Sequence, residues 1–80
     1  MTSSTKQWLI DKRDEFEKEY SDVMIRFREG KYLNGFYILM IDRKNQDKYI
    51  ERMWSIKQIN CANFDILWHE FMYMRSRLMK

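Results

Sequence analysis

Proline is missing from this 80-residue sequence, and glycine occurs only twice, at Gly30 and Gly35. Both residue types are common in turns, so their scarcity predicts few connections and long helices. An all-β fold of this length would need several tight turns and the residues that form them. The composition therefore favours an all-α fold in one domain that spans residues 1–80.

Cysteine and histidine are scarce as well: Cys61 is the only cysteine of the sequence, and His69 is the only histidine. One cysteine cannot form an internal disulfide, and the polar first residues contain no apolar secretory segment. We therefore expect a reducing, cytoplasmic location. No stretch approaches the roughly 18 apolar residues of a membrane span, so we expect no membrane partner.

Signatures of catalysis and of metal binding are missing too. A cysteine nucleophile needs a base beside it, and the sole imidazole, His69, follows Cys61 by eight residues with no other catalytic group to support the pair. The segment that starts at His69 reads H-E-x-x-Y and lacks the second histidine of the zinc peptidase motif. Neither glycine belongs to a phosphate-binding loop. The sequence predicts a non-enzymatic protein without a cofactor or a metal site.

The longest apolar run spans residues 36–41, at the middle of the chain, directly after Asn34-Gly35. Such a run must be buried, so we interpret the amphipathic segments on both sides as its cover. Asn-Gly is also a hairpin signal, and residues 31–41 fit either a hairpin or the start of a helix. We favour the helix, with Asn34 as its N-cap, because an isolated hairpin is marginally stable and no other segment offers a third strand.

The spacing of apolar residues predicts three helices. The first begins at a capping box at Ser4 and ends near Gly30. The second spans residues 36–59, and a break near Asn45 would divide it into two, giving four helices. The third follows Asn63 as its cap. The apolar stripe of the first helix comprises Leu9, Phe16, Tyr20, Val23 and Phe27, and that of the third comprises Phe64, Leu67, Trp68, Phe71, Met74 and Leu78. We expect a small helical bundle, in which a helical hairpin follows an N-terminal helix.

Large apolar residues are in excess: the chain has five Phe, five Tyr, three Trp and seven Met. The inner faces of three short helices cannot hold them all, and aromatic residues and Met are enriched at protein interfaces. The predicted interface has Trp54, Ile66 and Tyr73 as anchors and His69 and Arg77 on its rim. We therefore expect a homo-oligomer that binds or inhibits a larger protein partner. Small accessory and inhibitor proteins, including those of phages, share this size and composition.

Basic residues near aromatic ones support an alternative function. Residues 31–80 carry nine Lys or Arg against five Asp or Glu, a weak excess for a nucleic-acid binder. The residues that would contact phosphates are Arg43, Lys44, Lys48 and Arg52, with Trp54 or Tyr49 as a stacking platform. The alternative is therefore a binder of nucleic acid or of an anionic nucleotide, with an affinity that falls steeply as salt is added.

Overall fold

Helices form the two ends of the described chain, and three strands lie between them. The computed structural model describes residues 3–29, 35–55 and 64–80. The elements are α1 (Ser3–Glu19), β1 (Val23–Glu29), β2 (Gly35–Asp42), β3 (Tyr49–Ser55) and α2 (Phe64–Leu78). The strands form one antiparallel sheet in the order β1-β2-β3. The chain is therefore an α+β protein, and the prediction of an all-α helical bundle over residues 1–80 is wrong.

The first predicted helix is part helix and part strand. α1 ends at Glu19, and β1 begins at Val23. In β1 the side chains of Val23, Ile25 and Phe27 lie on the core face and alternate with those of Met24, Arg26 and Arg28, which is the period of a strand. The separation of four residues between Val23 and Phe27 fits a helix and a strand equally, and the β-branched side chains of Val23 and Ile25 favour the strand. Gly30, the expected helix end, lies outside the described residues.

The second predicted helix contains two strands instead. Residues 43–48 join β2 to β3, and the amide of Asp42 donates to the carbonyl of Lys48 (2.9 Å). Asn45, where we expected a helix break, lies in this turn, and its carbonyl accepts a hydrogen bond from the amide of Lys48 (2.9 Å). The correction covers residues 36–55, because residues 56–59 lie outside the described part of the chain.

The hairpin alternative is closer to the structure than the favoured helix. β1 pairs antiparallel with β2, with Glu29 opposite Phe36, and the connection between them lies outside the described residues, as does the expected cap Asn34. β3 pairs with the other side of β2 and supplies the third strand that a stable sheet needs. The helix prediction is wrong because β1 and β3 were interpreted as helical, which left the central apolar run without neighbouring strands.

The last helix is confirmed. α2 begins at Phe64 and ends at Leu78, with Asp65 in its first turn and Arg75 in its last, where their charges complement the helix dipole. The expected cap, Asn63, lies outside the described residues. The buried members of the predicted stripe are Leu67, Phe71, Met74 and Leu78.

The hydrophobic core lies between the two helices and one face of the sheet. Phe16 of α1 is fully buried, and its ring centroid lies 4.9 Å from that of Trp68 and 5.2 Å from that of Phe71, both on α2. The sheet contributes Ile25 and Met40, which are direct cross-strand partners. The other buried apolar residues are Leu9, Val23, Phe36, Ile38, Trp54, Leu67, Met74 and Leu78. Both helices therefore cover the same face of the sheet, and the described residues place no element on the opposite face.

Candidate functional site

The uncovered face of the sheet is apolar along its central strand. Phe36, Ile38 and Met40 of β2 are buried in the core, so the residues that alternate with them, Tyr37, Leu39 and Ile41, lie on the opposite face. All three are partly exposed. An antiparallel sheet with one solvated face normally alternates apolar and polar residues. β2 is instead apolar on both faces, although the described helices cover only one.

The strand register arranges this uncovered face in three rows that cross the sheet. The rows are Met24-Ile41-Tyr49, Arg26-Leu39-Glu51 and Arg28-Tyr37-Met53, and these nine residues are called the open face below. The first row is entirely apolar. In the other two rows, the cations of β1 and the single acid of β3 border the apolar centre. Tyr49 (61% exposed) and Met53 (56%) are the most exposed large apolar side chains of the described chain.

Two charged side chains are linked across the open face. Nη2 of Arg28 lies 3.5 Å from Oε2 of Glu51, and the guanidinium lies 4.9 Å from the ring centre of Tyr37. Arg28 therefore neutralises Glu51 and covers part of the tyrosine ring. Arg26 donates from Nη1 to the carbonyl of Ile25 (2.9 Å), and its side chain remains more than half exposed. The open face is thus an apolar stripe with positive charge on its β1 side.

Side chains satisfy the outer edge of β1. The amide of Ile25 donates to Oε1 of Glu17 on α1 (3.0 Å). The carbonyl of Ile25 accepts the bond from Arg26, and the carbonyl of Val23 accepts from Nη2 of Arg43 (3.2 Å). Three of the outward backbone groups of β1 therefore already have side-chain partners, which hinders pairing of this edge with another strand.

The outer edge of β3 differs. The amide of Asp42 donates to the carbonyl of Lys48, so these two residues form a hydrogen-bonded pair. Such pairs recur at every second residue of an antiparallel ladder, so the backbone groups of the even-numbered residues of β3 bond to β2. The amides and carbonyls of Tyr49, Glu51 and Met53 consequently point outward. Within the described part of the chain, no residue donates to these carbonyls or accepts from these amides. The β3 edge therefore has the backbone groups that a further strand would use.

Four of the five residues predicted to form an interface share one side of α2. These are Ile66, His69, Tyr73 and Arg77, which follow one another at steps of three and four and are all exposed. Trp54 does not join them. It lies on the core face of β3 and is only 8% exposed. The structure therefore places one predicted anchor in the core and the other residues on a helix surface beside β3.

The four basic residues predicted to contact phosphates lie in two places. Arg43, Lys44 and Lys48 belong to the turn between β2 and β3, whereas Arg52 lies on the helix-facing side of β3. Nε of Arg52 donates to Oε1 of Glu70 (2.8 Å), and this hydrogen bond raises the pKa of Arg52. Nη2 of Arg43 lies 3.8 Å from Oε1 of Glu17. Two of the four cations are therefore already paired with carboxylates.

A further ion pair joins the turn after α1 to α2. Arg75 donates from Nη2 to Oδ2 of Asp22 (2.7 Å) and from Nε to Oδ1 (3.2 Å). The hydrogen bonds from Arg75 lower the pKa of the Asp22 carboxyl below its ordinary value of 3.8. They also raise the pKa of Arg75, whose guanidinium lies 4.6 Å from the ring centre of Tyr20. This pair connects the start of the sheet to the end of the chain.

The concave sites of the described chain are small. A cavity of about 240 Å³ between α1 and the sheet is lined by Lys6, Leu9, Ile10, Phe27, Glu29 and Phe36. A depression of about 280 Å³ lies on the open face beside Tyr37 and Leu39. Pockets for small ligands usually have about 300–1,000 Å³, so a broad surface contact suits this protein better than an enclosed ligand.

The described residues contain no group of three or more His, Cys, Asp or Glu side chains that could hold a metal ion. Cys61, considered above as a nucleophile with His69, lies outside the described residues. None of the helices in the described ranges is long and apolar enough to cross a membrane.

No protein-family model, no curated protein and no solved structure matches the chain. No activity, partner or fold family is therefore transferred to it from a relative. The candidate function depends on the geometry of the open face, the β3 edge and the exposed side of α2.

Most of the open face was not identified from the sequence, because the strands were not. A signal was nevertheless present in the run of residues 36–41. Six consecutive apolar residues in a strand must be apolar on both of its faces, since neighbouring side chains point in opposite directions. Both described helices contribute to one core on a single face of the sheet, so the other apolar face is left uncovered by the described elements.

Proposed function

We propose that this protein is a small non-enzymatic interaction module of the cytoplasm that self-associates. We propose that it also binds a larger protein partner, and that it does so through the open face of its sheet. The observation that carries the proposal is the two-sided apolar character of β2, of which the described helices cover one side. Burying Tyr37, Leu39 and Ile41 against a partner would contribute about 25 cal/mol for each Å² of apolar surface removed from water. A bound module of this kind acts as an accessory protein or an inhibitor by occupying its partner's surface.

The charges of the open face indicate the chemistry of the partner. Arg28 is neutralised by Glu51. Arg26 shares the single carboxylate of Glu17 (3.9 Å) with Arg13 and Arg43 and stays more than half exposed beside Leu39, and the whole chain carries a net charge of +3. The surface that fits is therefore apolar at its centre and has a carboxylate on the side that meets β1. Since the apolar stripe supplies most of the contact area, binding should tolerate salt.

A photo-crosslinking amino acid at position 39, introduced in cells that express the protein, tests the proposal. The same amino acid at Asp14, an exposed position of α1, is the matched control. We expect position 39, and not position 14, to give a covalent product with one discrete protein. The isolated partner should then bind the purified Leu39→Lys variant at least about tenfold more weakly than the wild type.

A second control separates the open face from charge in general. Gln46→Lys adds the same charge in the exposed turn between β2 and β3 and should leave the affinity unchanged. Circular dichroism and the thermal midpoint confirm that both variants fold. Crosslinks of equal yield from positions 14 and 39, or an unchanged affinity in Leu39→Lys, would contradict the proposal.

Binding of nucleic acid or an anionic nucleotide remains the alternative function. Lys44 and Lys48 are exposed in the turn, where they would meet phosphates. The ratio of absorbance at 260 and 280 nm across the purified protein peak distinguishes the two functions. A nucleic-acid ratio that high salt abolishes, and that Lys44→Glu with Lys48→Glu also abolishes, would favour the alternative.

A further inference from the structure

The large exposed apolar side chains of the described chain all lie beside the β3 edge. Tyr49 and Met53 belong to β3, and Ile66 and Tyr73 belong to α2. Arg52 fixes the relation between the two elements. Its guanidinium bonds to Glu70 of α2 and lies 5.1 Å from the ring centre of Tyr73, so this side of α2 faces the β3 edge. Open backbone groups and exposed apolar side chains thus occur together at one border of the molecule.

We propose that two copies of this chain pair through β3, edge to edge and antiparallel about a two-fold axis, to form a continuous six-stranded sheet. This pairing rests on the proposed self-association and identifies its surface. The outward amides and carbonyls of Tyr49, Glu51 and Met53 would form the new ladder. An isologous contact requires a self-complementary surface, and the sequence of β3 supplies one.

The side chains of β3 select one register. A residue whose amide and carbonyl point outward must lie opposite a residue of the other copy whose amide and carbonyl also point outward. Three registers that overlap the middle of both strands meet this condition. Only the register centred on Glu51 places Tyr49 opposite the partner's Met53 and Met53 opposite the partner's Tyr49. It buries the two most exposed apolar side chains in sulfur–aromatic contacts. The other two registers place Glu51 opposite one of these apolar residues.

The selected register also brings the two Glu51 side chains together. Like charges directly opposite each other are unfavourable. Each Glu51 already has Arg28 of its own chain at 3.5 Å, so the pair of carboxylates meets with two guanidinium groups beside it. Arg28 therefore acts as the counter-charge that permits this register.

The helices fit the same arrangement. α2 contacts both β2 and β3, and strands are spaced at about 4.8 Å, so the two α2 axes would lie about 10 Å apart in the dimer. Packed helices are separated by about 8–10 Å. The two-fold axis makes the helices antiparallel and turns the Ile66 and Tyr73 side of each toward the other. The side chains of Glu17, Arg26 and Arg43 that bond to outer backbone groups of β1 hinder the addition of a further copy there, so the assembly ends at two copies.

Light scattering on a sizing column tests the pairing. The wild type should show about twice the 10.1 kDa mass of one chain. Met53→Lys, which puts a charge at the edge, and Glu51→Pro, which removes an outward amide without breaking a hydrogen bond to β2, should raise the dimer dissociation constant at least about tenfold without changing the circular dichroism. Met24→Lys, the same substitution on β1, should leave the dimer intact. A wild-type monomer at 0.1 mM, or an unchanged dimer in both β3 variants, would overturn the pairing.

A crosslink tests the register itself. In a Cys61→Ser background, Glu51→Cys places two thiols on the two-fold axis, in a pair whose Cα atoms are about 5.5 Å apart. We expect rapid oxidation to a covalent dimer, and slow oxidation for Arg26→Cys on β1. Equal rates would overturn the register. If the wild type is a monomer that still binds its partner through position 39, only the proposed dimer is refuted. If it is a dimer that does not bind a partner there, only the proposed partner surface is refuted.

Discussion

Asp22 and Arg75 lie 53 positions apart in the sequence, and two hydrogen bonds join their side chains. The carboxylate belongs to the turn between α1 and β1, and the guanidinium belongs to the last turns of α2. The contact therefore holds the last turns of α2 against the turn that leads into the sheet, although the two segments lie at opposite ends of the described chain.

Asp22→Asn should lower the free energy of unfolding by about 1 kcal/mol at neutral pH, because the bidentate pair is only partly exposed to solvent. The pKa of Asp22 is lowered from 3.8 in the folded state, so its stabilisation is complete well above pH 3.8 and is lost as the pH falls through the lower folded-state pKa. Urea denaturation of both proteins at neutral pH and at a series of pH values below about 4 measures this. The difference between the proteins should shrink with acidification, and a constant difference would contradict the assignment.

Trp54→Ala and Tyr73→Ala should have opposite consequences, although both remove an aromatic ring. Trp54 is in the core, so its loss should lower the free energy of unfolding by about 3–5 kcal/mol. Tyr73 is 44% exposed, and its loss should change that free energy by less than about 1 kcal/mol. Chemical denaturation followed by circular dichroism compares them. Equal destabilisation would place Tyr73 in the core as well.

Glu17→Ala should weaken the fold and open the β1 edge. The amide of Ile25 loses its acceptor, which costs about 1–3 kcal/mol when a buried donor is left unsatisfied. A chain with two open edges can add copies at both, so light scattering should detect assemblies larger than a dimer. Glu15→Ala is the matched control, since among the described residues Glu15 bonds to Lys12 of the same helix and to no backbone group of the sheet. Larger assemblies in the control, or none in Glu17→Ala, would contradict the role given to Glu17.

Arg52 and Glu70 should be coupled, because their hydrogen bond is short and the Glu70 side chain is mostly buried. In a double-mutant cycle with Arg52→Met and Glu70→Gln, we expect a coupling free energy of about 1 kcal/mol. Arg52→Met should lower the free energy of unfolding more in the wild type than in the Glu70→Gln background. In the wild type this substitution leaves the Glu70 carboxylate without its partner. Additive effects would show that the pair contributes nothing to stability.

Helix α2 could be predicted from the sequence, whereas the strands could not, and the reason is the spacing of their apolar residues. In α2 the buried residues follow one another at steps of three and four over its whole length, which only a helix satisfies. Tyr49 and Met53 are four residues apart, as are Val23 and Phe27. Four residues return a side chain to the same face in both a helix and a strand, so these pairs carry no information about which element forms.

The central run of residues 36–41 was ambiguous for a different reason. A continuous apolar segment has no period, so its own sequence does not separate a buried helix from a strand. Whether this run forms a helix or a strand depends on the segments on both sides of it, and the apolar spacing of those segments also fits a helix. The excess of aromatic residues and Met was a sound signal of surplus apolar surface, but its location on the open face became visible only with the strand register.

The contact between Phe16 and Phe71 joins the first helix to the last, with all three strands between them in the sequence. During synthesis, Phe16 can meet Tyr20 early, but its contacts with Trp68 and Phe71 form only after α2 has been made. Closure of the core is therefore governed by long-range contacts. Truncation before α2 should leave a nascent chain whose apolar strands stay accessible to chaperones.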